Sequence, residues 1–156
     1  MIHHISIAAQ DPQHVAEVLA ELWQGVSYPF PMYSGSYIAF AGDDQGSAIE
    51  VYPSGSELRP GQTDLPDLQT KQMSESFTAT HVAMSVPLTL ERIQAIADRE
   101  GWTTLACSRG PFFQVVELWV ENRVLLELLT PEMAKQYREF ATPQNWEELV
   151  LAAPMV

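Results

Sequence analysis

The chain has 156 residues, of which 20 are acidic and 8 basic, giving a formal charge of −12. That balance weighs against a nucleic-acid partner and against an anionic membrane surface, because both need clustered Lys and Arg. Apolar residues make up 46%, enough for one packed domain or for two small halves sharing a core, and no apolar run approaches the roughly 20 residues that cross a bilayer. The opening Met1-Ile2-His3-His4 lacks the basic and apolar regions of a signal peptide, so a cytoplasmic location is expected. Cys107 is the single cysteine, which excludes an intrachain disulfide; in the apolar stretch 102–107 it reads as a small buried hydrophobe rather than a nucleophile.

Residues 2–9 alternate as a strand, with Ile5 and Ile7 to one side and His4, Ser6 and Ala8 to the other. Asp11-Pro12 supplies a helix N-cap and a proline at the first helical position. The predicted helix runs to Trp23, buries Val15, Val18, Leu19 and Leu22, and ends at Gly25. Prolines among the aromatics of 26–34 predict an irregular edge strand. Strands follow at 36–41 and 47–52, joined by the turn 42–46. Residues 53–77 show no periodicity and predict a long loop. A second set then begins: a strand at 79–86, a helix from Pro87 to Glu100 ended by Gly101, and strands at 102–107, 112–120 and 123–129, with Asn122-Arg123 at the last tight turn. A helix from Pro131 to Phe140 and a short one from Pro143 to Leu151 close the chain.

The order strand, helix, glycine, three strands occurs twice. It predicts an α+β fold of two βαβββ modules, residues 1–53 and 79–130, with a linker loop at 54–78 and a C-terminal helical extension at 131–156, forming one domain. Each module has a histidine in its first strand and a glutamate in its last: His4 and Glu50, His81 and Glu127, 46 residues apart in both cases. Glu50 is flanked by Ile49 and Val51, and Glu127 by Leu126 and Leu128, so each projects from the face opposite large apolar neighbours. A carboxylate in such a strand is costly unless it is paired or bound to a metal. Two imidazoles and two carboxylates form a mixed nitrogen and oxygen set suited to Zn²⁺, Ni²⁺, Fe²⁺, Mn²⁺ or Co²⁺. The competing readings are a hydrogen-bonded cluster and a ligand site without metal.

The stretches His4-Ile5-Ser6-Ile7-Ala8-Ala9-Gln10-Asp11 and His81-Val82-Ala83-Met84-Ser85-Val86, with the endings Ile49-Glu50-Val51-Tyr52-Pro53 and Leu126-Glu127-Leu128-Leu129-Thr130-Pro131, resemble the first, fifth, fourth and eighth strands of the vicinal-oxygen-chelate superfamily. That superfamily includes glyoxalase I, bleomycin-resistance proteins and extradiol dioxygenases, and the resemblance covers about residues 2–131. It implies a cupped mixed sheet and a homodimer, with the four ligands drawn from one subunit or from two. The His-Glu-His-Glu order is similar to bacterial glyoxalase I, which implies a lyase or isomerase acting on a small carbonyl substrate through a metal-bound enediolate, with Glu127 or Glu50 as the general base. The arginine with which glyoxalase I holds glutathione is absent, Ala8-Ala9-Gln10 standing in its place, and this argues against glutathione. The alternatives are a metal-free small-molecule-binding protein of the bleomycin-resistance type, favoured by Tyr28, Phe30, Tyr33 and Tyr37, and an extradiol-type dioxygenase, for which Glu50 is surplus.

Arg59 and Arg109, each in a loop beside Pro or Gly, are candidate anion-binding residues, with a solvated surface role as the plainer reading. Phe113 is a candidate pocket residue, as are Trp23, Tyr28, Phe30 and Phe112, against the alternative that aromatics at these spacings are core. His3 faces away from His4 and His14 lies on the polar side of the first helix.

Overall fold

The structure is a computed structural model that describes residues 2–59, 67–70 and 79–152. Its elements in chain order are β1 (His4–Ala9), α1 (Pro12–Trp23), β2 (Val26–Pro29), β3 (Tyr37–Phe40), β4 (Ala48–Pro53), β5 (Ser56–Arg59) and β6 (Asp67–Thr70). After these come β7 (Val82–Ser85), α2 (Leu90–Glu100), β8 (Thr103–Arg109), β9 (Phe113–Val120), β10 (Val124–Leu129), α3 (Pro131–Phe140) and α4 (Pro143–Ala152). Two four-stranded mixed sheets result, ordered β1-β4-β3-β2 and β7-β10-β9-β8. This is the expected pair of βαβββ modules. The chain forms two compact units: residues 1–80 with 120–124, and residues 81–119 with 125–156.

In the first unit Asp11 caps α1, its carboxylate accepting from the backbone N–H of His14 at 3.1 Å. Val15, Leu19 and Leu22 on the inner stripe are fully buried, and each contributes roughly 1.5–3 kcal/mol of apolar transfer. The helix does not end as expected. Gln24 takes the left-handed conformation, with φ of 56°. Gly25 serves a different purpose, because a Cβ there would lie 1.9 Å from the Phe40 carbonyl oxygen. The prolines of 26–34 do place β2 at the sheet edge.

The expected loop after β4 is only partly a loop. β5 and β6 pair antiparallel, with Leu58 opposite Leu68, a two-stranded sheet too short to show a period in sequence. The remainder of that stretch lies outside the described residues.

In the second unit α2 begins later than expected. Thr89 is its N-cap, accepting from the Arg92 N–H at 3.4 Å, and Pro87 lies in the preceding turn. Ile93, Ile96 and Ala97 are fully buried. The strand read as 102–107 is β8, one residue later at its start and at the sheet edge. Edge placement leaves Leu105 58% exposed and Cys107 only half-buried, so Cys107 is not the core residue expected. Glu121 and Asn122, with φ of 49° and 56°, form the tight turn between β9 and β10, closed by the Arg123 N–H donating to the Val120 carbonyl at 3.0 Å. No helix among the described residues is long and apolar enough to cross a membrane.

Candidate functional site

The 46-residue spacing has a structural cause. β1 and β4 pair in parallel with Ser6 opposite Glu50; β7 and β10 pair in parallel with Ala83 opposite Glu127. In both sheets the glutamate of the last strand therefore faces the residue two positions after the histidine; alternation puts His4 and Glu50 on one face, whereas β7 starts at Val82, so His81 does not stand in the strand expected at 79–86.

In the first unit Ile49 and Val51 are buried and Glu50 projects to the other side, its side chain 13% exposed. The Nε2 of His4 lies 3.7 Å from Glu50 Oε1. The opposite oxygen, Oε2, accepts from the hydroxyls of Ser6 at 3.0 Å and Tyr52 at 2.9 Å. Tyr52 is buried and packs against Tyr33 at 5.5 Å and, edge-on, Phe30 at 6.3 Å between ring centroids. Burial, then the hydrogen bond to Glu50 and that group's charge, push the Tyr52 phenol well above the usual tyrosine range. His3 turns away from this site, its Nδ1 lying 2.7 Å from the Gln45 carbonyl oxygen.

In the second unit His81 is exposed immediately before β7. Leu126 and Leu128 are buried, and Glu127 between them is 13% exposed. Its Oε1 accepts from Nη2 of Arg109, which also donates to Glu117 Oε1 at 2.8 Å. The hydrogen bonds it donates to Glu127 and then to Glu117 push the Arg109 guanidinium above its ordinary range, so it stays charged. The Arg109 hydrogen bond in turn pulls the Glu117 carboxyl below the usual carboxylate range, against the opposing effect of burial. Phe113 packs edge-on against Tyr137 at 5.1 Å and beside Phe140 at 5.5 Å. With Ser108, Phe112, Gln114 and Gln136 it lines an open cavity of about 370 Å³.

The predicted residues thus come together as His4 with Glu50 and as Arg109 with Glu127. Among the described residues no cluster of three or more His, Cys, Asp or Glu donors is formed. The backbone of Arg59 lies in β5, but its side chain is outside the described residues. Sequence reasoning passed over Ser6, Tyr52 and Glu117. A signal for the first two was present: Ser6 shares the face of His4, and Tyr52, two residues from Glu50, shares its face.

No family model matches the sequence, and no curated protein matches it. Solved structures do. A FosX fosfomycin resistance protein from Listeria monocytogenes, complexed with Mn(II) and 1S,2S-dihydroxypropylphosphonic acid, is 12% identical with a TM-score of 0.59, over 90% of this chain and 97% of that one. The FosX of Mesorhizobium loti is 9% identical with a TM-score of 0.55, over 87% and 95%. The trypanothione-dependent glyoxalase I of Leishmania major is 13% identical with a TM-score of 0.51, over 97% and 99%. At these identities the likeness is one of fold: the chain shares with these structures the fold of two four-stranded mixed sheets, in agreement with the topology and the paired register.

Proposed function

We propose that this protein is a metal-dependent, glyoxalase-like enzyme acting on a small molecule, with His4, Glu50, His81 and Glu127 as the ligands of a divalent cation. The observation that supports the reading is the shared parallel register, in which the glutamate of each last strand faces the residue two positions after a histidine, His4 in β1 and His81 just before β7. The first pair suits a cation: His4 is 57% exposed and Glu50 turns an oxygen without a hydroxyl donor toward it. In the second pair Arg109 occupies one oxygen of Glu127, leaving Oε2 as the donor atom. The mixed donor set fits Zn²⁺, Ni²⁺, Fe²⁺, Mn²⁺ or Co²⁺.

When bound, such a cation supplies Lewis acidity toward a carbonyl or related oxygen of the substrate. The chain's own part is proton transfer and orientation. Glu127 and Glu50 are the carboxylates that would take a proton from substrate and return it. Glu127 is fixed by a charged donor and Glu50 by neutral hydroxyls, so both are held in place before substrate arrives. A homodimer in the cytoplasm belongs to the same proposal, and sedimentation of the purified chain tests the first part.

Elemental mass spectrometry of protein purified without a histidine tag tests the ligand set. About one equivalent of metal per chain, lost in the His4→Ala/His81→Ala variant, is expected. No uptake even after reconstitution would overturn the proposal. That outcome would favour the second reading, a metal-free binding protein, which the packing of Phe30, Tyr33 and Tyr52 beside Glu50 supports.

A further inference from the structure

We infer that Ser6 and Tyr52 are positioning residues that anchor Glu50 through one oxygen and thereby present the other to His4 and to a cation; the inference rests on the metal-ligand reading of Glu50. Both hydroxyls donate to Oε2, at 3.0 and 2.9 Å, while Oε1 is the atom 3.7 Å from His4 Nε2. A Glu50 side chain free to rotate about its Cα–Cβ and Cβ–Cγ bonds would carry the carboxylate away from His4. Two donors on the same oxygen oppose that movement, hold one rotamer and cut the ordering cost of binding.

Neither donor is placed by the carboxylate itself. Ser6 is fixed opposite Glu50 by the parallel pairing of β1 and β4. The Tyr52 ring is 5% exposed and held between Tyr33 and Phe30, so core packing sets where its hydroxyl falls.

The second sheet provides an internal comparison. The positions equivalent to Ser6 and Tyr52 are Ala83 and Leu129, neither of which carries a hydroxyl, and Glu127 takes its hydrogen bond from Arg109 instead. The hydroxyl pair is therefore a property of the first sheet and not of the repeated strand pattern. Ligating carboxylates are themselves held by hydrogen bonds, and removing such support costs roughly 10–100-fold in metal affinity.

The test uses the full chain with Ser6→Ala, Tyr52→Phe, the double variant, and Ser6→Thr as the conservative replacement. Three-bond couplings of the Glu50 side chain, assigned by their loss in Glu50→Gln, report its rotamers without metal, and titration with Mn²⁺ gives Kd. The expected result is one Glu50 rotamer in the wild type, averaging in the double variant, Mn²⁺ binding weakened about 10–100-fold there, and near-complete rescue by Ser6→Thr relative to Ser6→Ala. Unchanged couplings or an unchanged Kd in the folded double variant would overturn the inference. Tyr52→Phe keeps the packed ring, so the single variants decide if the double variant does not fold. A wild type that takes no Mn²⁺ defeats the metal reading, and the couplings then decide the positioning alone.

Discussion

Arg109, at the end of the edge strand β8, reaches across β9 to hold Glu127 on β10, and the same nitrogen holds Glu117 on the strand between. One cation therefore compensates two carboxylates that are 13% and 19% exposed. Replacing Arg109 with Met would leave both half-buried and mutually repelling. Because Arg109 is itself 34% exposed, solvent screening reduces the loss to about 1–2 kcal/mol.

The pH dependence of that loss follows from Glu117. Its carboxyl is held low by Arg109, so the stabilisation is present above the ordinary carboxylate range and disappears as pH falls through the lowered value. Urea denaturation should show wild type and Arg109→Met furthest apart near neutrality and converging in acid. A gap that stays constant or widens in acid would mean that charge pairing is not its source.

Tyr52 behaves with the opposite sign. Its phenol is pushed up, chiefly by burial and then by Glu50. A raised tyrosine contributes stability below the ordinary phenol pKa and loses it as pH rises toward the folded value. Between about pH 10 and 12 the wild type should therefore lose stability faster than Tyr52→Phe. Ultraviolet titration should show one of the five tyrosines resisting ionisation, and that late step should be absent from the variant. A late step persisting in Tyr52→Phe would assign it to another residue.

Much of this fold was legible because strand register and helix caps leave marks in a linear sequence. Equal spacing from His4 to Glu50 and from His81 to Glu127 is what two identically registered parallel pairs produce. Asp11-Pro12 and Thr130-Pro131 both begin helices, with the Thr130 hydroxyl accepting from the Met133 N–H. Pro87 misled because proline also suits a turn, and Thr89 two residues on is the better cap. The partners of Arg109 were not legible. They depend on which strand lies beside which, and a residue beside Gly110-Pro111 reads as a loop arginine until the order β10-β9-β8 is known. Cys107 was misplaced for the same reason, since an apolar strand at an edge and one in the middle look alike in sequence.

Gly25 and Gly101 both follow helices, yet they should respond differently to alanine. At Gly25 the added methyl would meet the Phe40 carbonyl oxygen at 1.9 Å, a backbone atom of β3 that cannot move without disturbing its sheet. Gly101 has φ of +66° and open space around the added carbon, so only the left-handed backbone conformation is penalised. Gly101→Ala should cost about 1 kcal/mol, and Gly25→Ala more than about 3 kcal/mol, by chemical denaturation. Equal costs would mean that β3 yields easily at Phe40.

Glu121, at the β9–β10 turn, adopts a left-handed φ of 49°, and its carboxylate accepts from the backbone N–H groups of Gln10 at 2.6 Å and Asp11 at 2.9 Å, one on each oxygen. All three residues belong to the first compact unit. The two donors lie just before α1, where no intrahelical acceptor exists for them. Glu121→Ala removes both acceptors and should destabilise by about 1–3 kcal/mol, whereas Glu121→Gln keeps one oxygen and should cost less. Glu121→Gly would relieve the backbone strain and still lose both bonds, so it separates the two contributions. Hydrogen exchange at the Gln10 and Asp11 amides should quicken in Glu121→Ala and Glu121→Gly alike. Exchange unchanged in both would mean that solvent serves these donors as well as the carboxylate does.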